Sequence, residues 1–171
     1  MSADAMEQLY QQVILDHARR PHGRTPLDPD TAAPTVTAGH GACSGRSHQV
    51  NPTCGDEVTL EVSVDCTATV PVITDVRWEG QGCSISQASV SVLYDLVVGE
   101  DLTAVDTLTS TFRGLLATRG AGLDDDDAED LLGDATAFTG VGKFPARVKC
   151  ALLGWVALTD ALVRTGVREE H

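Results

Sequence analysis

The segment "EVTLEVSVD", residues 57–65, alternates without interruption. Val58, Leu60, Val62 and Val64 fall on one side of an extended chain, and Thr59, Glu61, Ser63 and Asp65 on the other, because successive side chains of a strand point to opposite faces. A second run, Val70, Val72, Thr74, Val76 and Trp78, repeats the pattern. The intervening "CTATVP" can turn the chain back, so the two runs are expected to pair antiparallel. A sheet with one apolar and one polar face is covered by helices on a single side.

Those helices are visible as a change of period. "MEQLYQQVILDHARR" repeats Leu9, Val13 and Ile14 at helical spacing until Pro21 and Gly23 stop it. "GQGCSISQASVSVLYDLVVGE" puts Ile85, Ala88, Val92, Leu93, Leu96 and Val97 on one helical face, with Gly99 at its end. A further helix fits Leu102 to Leu116. The last begins at Pro145, carries a stripe of Val148, Leu152, Trp155, Thr159 and Leu162, and closes at Gly166. Between the first helix and about Gly45 the chain is rich in Pro, Thr, Gly and Ala and reads as loop with room for one edge strand. The acidic run "LDDDDAED" reads as a solvated face or loop. No internal repeat appears, and the pattern predicts a single α+β domain over residues 1–171.

Composition agrees with that reading. A chain of 171 residues suffices for one core and would be cramped as two domains. Hydrophobic residues at 42% with 22% charged are globular values. A formal net charge of −13 argues against a nucleic-acid or anionic-membrane partner. No apolar run approaches the ~20 residues of a membrane span. The start "MSADAMEQLYQQ" lacks the basic and apolar regions of a signal peptide, so the expectation is a soluble cytoplasmic protein.

The five cysteines are Cys43, Cys54, Cys66, Cys83 and Cys150. An odd number in such a chain does not look like a disulfide framework, which leaves metal binding, thiol chemistry or packing. Cys54 lies on the turn before the first clear strand, in "NPTCGDEVTL". Cys83 lies in a Gly-bounded turn at a helix start, where free N–H groups and the helix dipole favour a thiolate. Cys150 lies in the early turns of the final helix. Three thiols at element starts, with Asp56 beside one of them, make up the four donors that zinc prefers. In "KFPARVKC" the cations Lys143, Arg147 and Lys149 can offset an anionic site, and Arg147 sits one helical turn before Cys150. The spacings are not those of a zinc ribbon, and ordinary surface charges remain the competing reading of the cations.

Four segments together, "LYQQVILDH", "NPTCGDEV", "GQGCSISQAS" and "PARVKCALLGW", resemble in order and spread the SufU branch of the IscU-like proteins of iron–sulfur cluster biogenesis. IscU-type scaffolds usually carry His immediately before the third cysteine, where this chain has Lys149. The long stretch between Cys83 and Cys150 looks like the insertion typical of SufU. The resemblance implies a small, about three-stranded antiparallel sheet with helices packed on it. It implies zinc held by Cys54, Asp56, Cys83 and Cys150. It also implies that Cys54 accepts persulfide sulfur from a SufS-type cysteine desulfurase, for delivery to the SufBCD machinery. In this picture a desulfurase His replaces Cys54 on the metal, Gly55 lets Cys54 swing, and Arg147 stabilises anionic sulfur. Whether such a protein counts as an enzyme is open, since partners regenerate its cysteine.

Cys43, Cys66, His40 and His48 match no motif position. Cys43 and His48 sit in what looks like an insertion ahead of Asn51 and read as bystanders or a nearby second set of metal ligands. Cys66 reads as a loop or packing thiol, and His17, within the N-terminal motif, as structural or partner-facing rather than metal-binding. Two rival functions stay in view. One is an iron–sulfur cluster assembly scaffold of IscU type using the same cysteines. The other is a structural zinc module whose surface binds a partner, although such sites are more commonly closed with Cys and His.

Overall fold

The computed structural model describes residues 3–28, 36–37 and 42–167. In chain order they form α1 (Ala3–Arg19), β1 (Val36–Thr37), β2 (Ala42–Asn51), β3 (Asp56–Asp65), β4 (Val72–Gln81), α2 (Ser84–Val97), α3 (Leu102–Ala117), α4 (Asp126–Leu132), a 3-10 helix (Gly133–Lys143) and α5 (Pro145–Arg164). The strands lie antiparallel in the order β1-β2-β3-β4, so three long strands make the sheet and two-residue β1 trims its edge. This is the α+β architecture that the alternation and the change of period predict.

The alternating segment is β3. Val58, Leu60, Val62 and Val64 are buried, while the intervening residues stay partly solvated. α5 packs across the inner face of β2 and β3, and α2 packs on α5. α1, α3 and the 3-10 helix complete the helical side. Phe112 stacks on Trp155 with ring centroids 4.7 Å apart and meets Phe138 edge-on at 5.7 Å. No helix among the described residues is long and apolar enough to cross a membrane.

Several sequence expectations shift in detail. The region up to Gly45, read as loop with one edge strand, holds edge strand β1 and also the start of β2, a ten-residue strand paired with β3 along its whole length. Its inward residues, Cys43, Gly45, Ser47 and Asn51, are small or polar and show no apolar alternation. Gly45 must be small, because a Cβ there would collide with the Ala161 carbonyl oxygen of α5. In β4 a bulge opposite Ser63/Val64 slips the register, so Ile73 faces the core instead of Val72 or Thr74; Val76 and Trp78 are inside as expected. Leu9 is 48% exposed, and Thr159 also faces solvent; the inward side of α5 runs through Ala151, Gly154, Trp155, Leu158 and Ala161. The acidic run forms the solvated helix α4, capped by Asp125, which accepts from the Asp127 and Ala128 N–H groups.

The cysteine reading also needs correction. Cys43 of β2 and Cys66, just past β3, form a disulfide with Cα atoms 6.2 Å apart. They are neither bystander thiols nor metal ligands. Antiparallel pairing sets Cys43 opposite Val64, two residues short of Cys66, which brings the two side chains together at the strand ends. His48 is an exposed β2 residue whose Nδ1 lies 2.7 Å from Thr59 Oγ1. His40 lies outside the described residues.

A polar clamp joins the sheet to α5. The Ser47 hydroxyl, 2% exposed, donates to Asp160 Oδ2 at 2.6 Å, and Arg164 Nε donates to the same oxygen at 2.9 Å. The Ser47 hydroxyl and the Arg164 guanidinium outweigh partial burial and hold the Asp160 carboxyl below the usual carboxylate range.

Both links can be tested by unfolding. The disulfide closes a separation of 23 residues, for which chain entropy predicts a stabilisation of about 3 kcal/mol. Thermal melts should fall by roughly 6–12 °C on reduction, and a Cys43→Ser/Cys66→Ser double variant should melt low with or without reductant. A wild-type melt indifferent to reductant would show that the two sulfurs are not joined. For Asp160, a depressed folded pKa means its contribution is present above the ordinary carboxylate value and lost as pH falls through the folded value. Urea unfolding should therefore find Asp160→Asn less stable than wild type near neutrality, with the gap closing below about pH 4.

Candidate metal centre

The β2–β3 turn is built by Asn51. Its backbone carbonyl accepts from Gly55 N–H at 2.8 Å, and its side-chain Oδ1 accepts from Thr53 N–H at 3.2 Å. Gly55 takes φ of +73°, the left-handed conformation in which a side chain is strained. The turn thus holds Cys54 at its tip, with an exposed thiol, and starts β3 at Asp56, only 3% exposed. On the other side of the site, α5 enters through Pro145 and places buried Cys150 one turn later. The two sulfurs meet: Cys54 Sγ and Cys150 Sγ are 3.0 Å apart.

Cys83 completes the group from α2, whose N-cap it occupies. Its thiol donates to Asp56 Oδ2 at 3.4 Å, and its backbone N–H donates to Asp56 Oδ1 at 3.2 Å. Ser86 steadies this corner by donating to the Cys83 carbonyl at 3.1 Å. Cys54, Asp56 and Cys150 can each offer one ligand atom within 4.8 Å of the others, and Cys83 joins them through Asp56. The four residues singled out by sequence therefore come together from a turn, a strand and two helix starts.

Their electrostatics are asymmetric. Burial pushes the Asp56 carboxyl up, but the thiols of Cys150 and Cys83, the Cys83 N–H and the Cys54 thiol together hold it below the usual carboxylate range. Burial, the Cys54 thiol, and Asp56 and Cys83 push the Cys150 thiol up, so in the metal-free protein it carries its proton. Two inner donors, Asp56 and Cys150, thus face two solvent-reachable thiols. Three sulfurs and one carboxylate oxygen are a donor set suited to zinc, and their convergence without rearranging the backbone fits such an ion.

Arg147 is exposed, with its guanidinium over the Phe144 ring at 4.7 Å from the centroid, and lines a cavity with Tyr10, Ile85 and Lys143. Lys143 and Lys149 are exposed on either side. The residue that sequence reasoning passes over is Asn51. Besides building the turn, its Nδ2 donates to Cys150 Sγ at 3.7 Å, tying the Cys54 turn to α5 from a position 6% exposed. The Asn-Pro pair ahead of the Cys-Gly-Asp tripeptide is the available signal, since Asn readily caps turns with its side chain. Losing an outer partner of this kind typically weakens a metal site ~10- to 100-fold. Asn51→Ala should show that loss for zinc in chelator competition while keeping its circular dichroism spectrum; undiminished zinc retention would reduce Asn51 to a turn former.

Comparison with known proteins places this geometry. Residues 9–151 match the family model described as the NifU-like N-terminal domain. The zinc-dependent sulfurtransferase SufU of Bacillus subtilis is 34% identical over 159 residues, covering 93% of this chain and 92% of that protein. The iron–sulfur cluster assembly scaffold protein IscU of Streptococcus pyogenes is 33% identical over 165 residues, covering 96% and 89%. The crystal structure of FiSufU from Fervidobacterium islandicum AW-1 superposes with a TM-score of 0.66 at 29% identity, covering 91% of this chain and 98% of that one. With a family model spanning most of the chain and relatives matched nearly end to end, this chain belongs to the NifU-like N-terminal domain family, the SufU and IscU proteins of iron–sulfur cluster assembly.

Proposed function

We propose that the protein is a zinc-dependent sulfur acceptor of iron–sulfur cluster assembly, in which Cys54 takes persulfide sulfur from a SufS-type cysteine desulfurase and passes it to a SufBCD-type scaffold complex in the cytoplasm. The observation that carries the reading is the position of Cys54: an exposed thiol at the tip of a glycine-hinged turn, in contact with buried Cys150 and next to Asp56. Cys83 is also exposed, but it is fixed at the N-cap of α2, whereas Cys54 stands on a turn next to Gly55 in the left-handed conformation. Cys54, Asp56, Cys83 and Cys150 would hold the ion. Bound zinc supplies the positive charge that keeps its cysteine ligands as thiolates at neutral pH.

The residues divide the work. The Cys54 thiolate attacks the outer sulfur of the desulfurase persulfide; a new S–S bond forms on Cys54, the old one breaks, and the desulfurase cysteine leaves as thiolate. Gly55 supplies the backbone freedom for Cys54 to reach a partner, while Asp56, fixed in β3 and bonded by the Cys83 N–H, stays in place. Arg147, an exposed cation three residues before Cys150, stabilises the negative sulfur. In a chain of net charge −13, Lys143, Arg147 and Lys149 are a local run of cations leading into Cys150 along the chain.

The scaffold reading rests on similar identity to IscU of Streptococcus pyogenes. Against it stands Lys149, where IscU-type scaffolds usually carry His; an ammonium is no metal ligand while protonated.

The test is mass spectrometry after incubation with desulfurase and cysteine. One extra sulfur is expected on the peptide containing Cys54, and Cys54→Ser should lose it even in molecules that retain zinc, because a hydroxyl neither ionises near neutral pH nor forms a persulfide. Sulfur carried by Cys83 or Cys150, with Cys54 untouched, would overturn the assignment. Arg147→Ala should slow the transfer while leaving the zinc content unchanged.

A further inference from the structure

A second cluster of ligand-type side chains forms where α1 crosses α2, built from residues that play no part in the thiol site. His17 of α1 is 6% exposed; its Nδ1 lies 2.7 Å from Ser91 Oγ and its Nε2 3.0 Å from Asp134 Oδ2 of the 3-10 helix. His22, in the loop after α1, has Nδ1 2.8 Å from the Asp95 carboxylate of α2, and its backbone N–H donates to the same Ser91 Oγ at 2.8 Å. The two imidazoles meet edge to face with centroids 5.0 Å apart. Asp16, His17, His22 and Asp134, together with Arg19 and Arg20, line a cavity of about 510 Å³.

We propose that His17, His22 and Asp95 form a second metal site, for a divalent transition ion of the zinc, nickel or cobalt kind, with Asp134 as a further oxygen donor. The three groups can each present one ligand atom within 4.8 Å of the others, from three different elements. Two imidazoles with carboxylate oxygens are the donor set of borderline ions and not of calcium or magnesium, which take oxygen. The hydrogen-bonded pairs are already near ligand spacing. Tetrahedral zinc with ordinary Zn–N and Zn–O bonds separates the two atoms by about 3.4 Å, against the 3.0 Å between His17 Nε2 and Asp134 Oδ2. An ion between His17 Nε2 and Asp134 Oδ2 would part those two atoms by a few tenths of an ångström, within the reach of the exposed Asp134 side chain, while the ligand atoms of His17, His22 and Asp95, within 4.8 Å of one another, would draw in around it.

Ser91 gives His17 the outer partner that metal-bound imidazoles usually have. Fully buried and fixed on α2, it can accept Nδ1–H and so leave Nε2 with its lone pair toward the ion. Charge also balances. Arg19 and Arg20 oppose a cation, while Asp16, Asp95 and Asp134 favour it, and a divalent ion with two carboxylate ligands is locally neutral. Such an ion would clip α1 to α2 and the 3-10 helix. Because an imidazole binds an ion only through an unprotonated nitrogen, its affinity should weaken as the pH is lowered.

Cobalt(II) provides the test, since thiolate-bound cobalt shows a sulfur-to-metal charge-transfer band that nitrogen- and oxygen-bound cobalt lacks. Full-length protein, first given one equivalent of zinc, is titrated with cobalt chloride by calorimetry and visible absorption. The expected result is a further equivalent bound without the charge-transfer band. Its affinity should drop at least tenfold in His22→Ala or in Asp95→Asn, both partly exposed positions, and stay unchanged in Cys54→Ser. No uptake beyond thiol-bound ion at millimolar cobalt would overturn the site. So would an added equivalent bound with wild-type affinity by both variants, which would leave the cluster as a hydrogen-bonded helix clasp. Because the readout distinguishes sulfur from nitrogen and oxygen ligation, it separates failure of this site from failure of the thiol-site reading.

Discussion

A sheet with one apolar face has to be covered, and here α5 covers two of its three long strands. Val58, Leu60, Val62 and Val64 turn to the inside of β3, and α5 lies across β2 and β3 to take them out of water. Each such side chain contributes about 1.5–3 kcal/mol when fully buried. That term leaves little freedom in where α5 sits. Since α5 begins beside the β2–β3 turn, its early residues reach the turn, and Cys150 arrives against Cys54. The thiol site is thus a by-product of the way the hydrophobic layer closes, with Asn51 trimming the last ångströms between turn and helix.

How much of this is legible in the sequence depends on which side chains carry the packing. β3 announces itself because its burial is done by branched aliphatic residues in strict alternation. β2 pairs with it over ten residues and stays hidden, since a close-packed α5 leaves room only for Cys43, Gly45 and Ser47 on the facing side. The bulge opposite Ser63 and Val64 is a register event between two strands, and no periodicity within β4 encodes it. α2 is buried nearly all round, so Ser86, Ser89 and Ser91 are interior residues that read as the polar face of an amphipathic helix.

The site divides in the same way. Cys54, Asp56, Cys83 and Cys150 can be chosen from their positions at element starts and from family motifs. The roles of Asn51 and of Ser91 cannot, because each acts through partners distant in sequence, Cys150 for one and His17 for the other. The disulfide escapes a reading of the sequence for a related reason. Parity of the cysteine count speaks to frameworks in which every thiol is bonded, whereas these five divide into a pair and a trio with different employment.

That division has a spatial side. Cys43 and Asn51 stand at opposite ends of β2, eight residues apart, which at ~3.3 Å per residue is about 26 Å along the strand. The sheet therefore acts as an insulator between two kinds of sulfur. On the function proposed above, a persulfide on the turn would itself be a nucleophile able to open a disulfide within its reach, scrambling its cargo into the protein's own cross-link. With the bonded pair at one end of a rigid ladder and the reactive thiols at the other, the two cannot meet within one molecule while the sheet is intact. Any exchange between them would have to come from a second copy or from an unfolded chain.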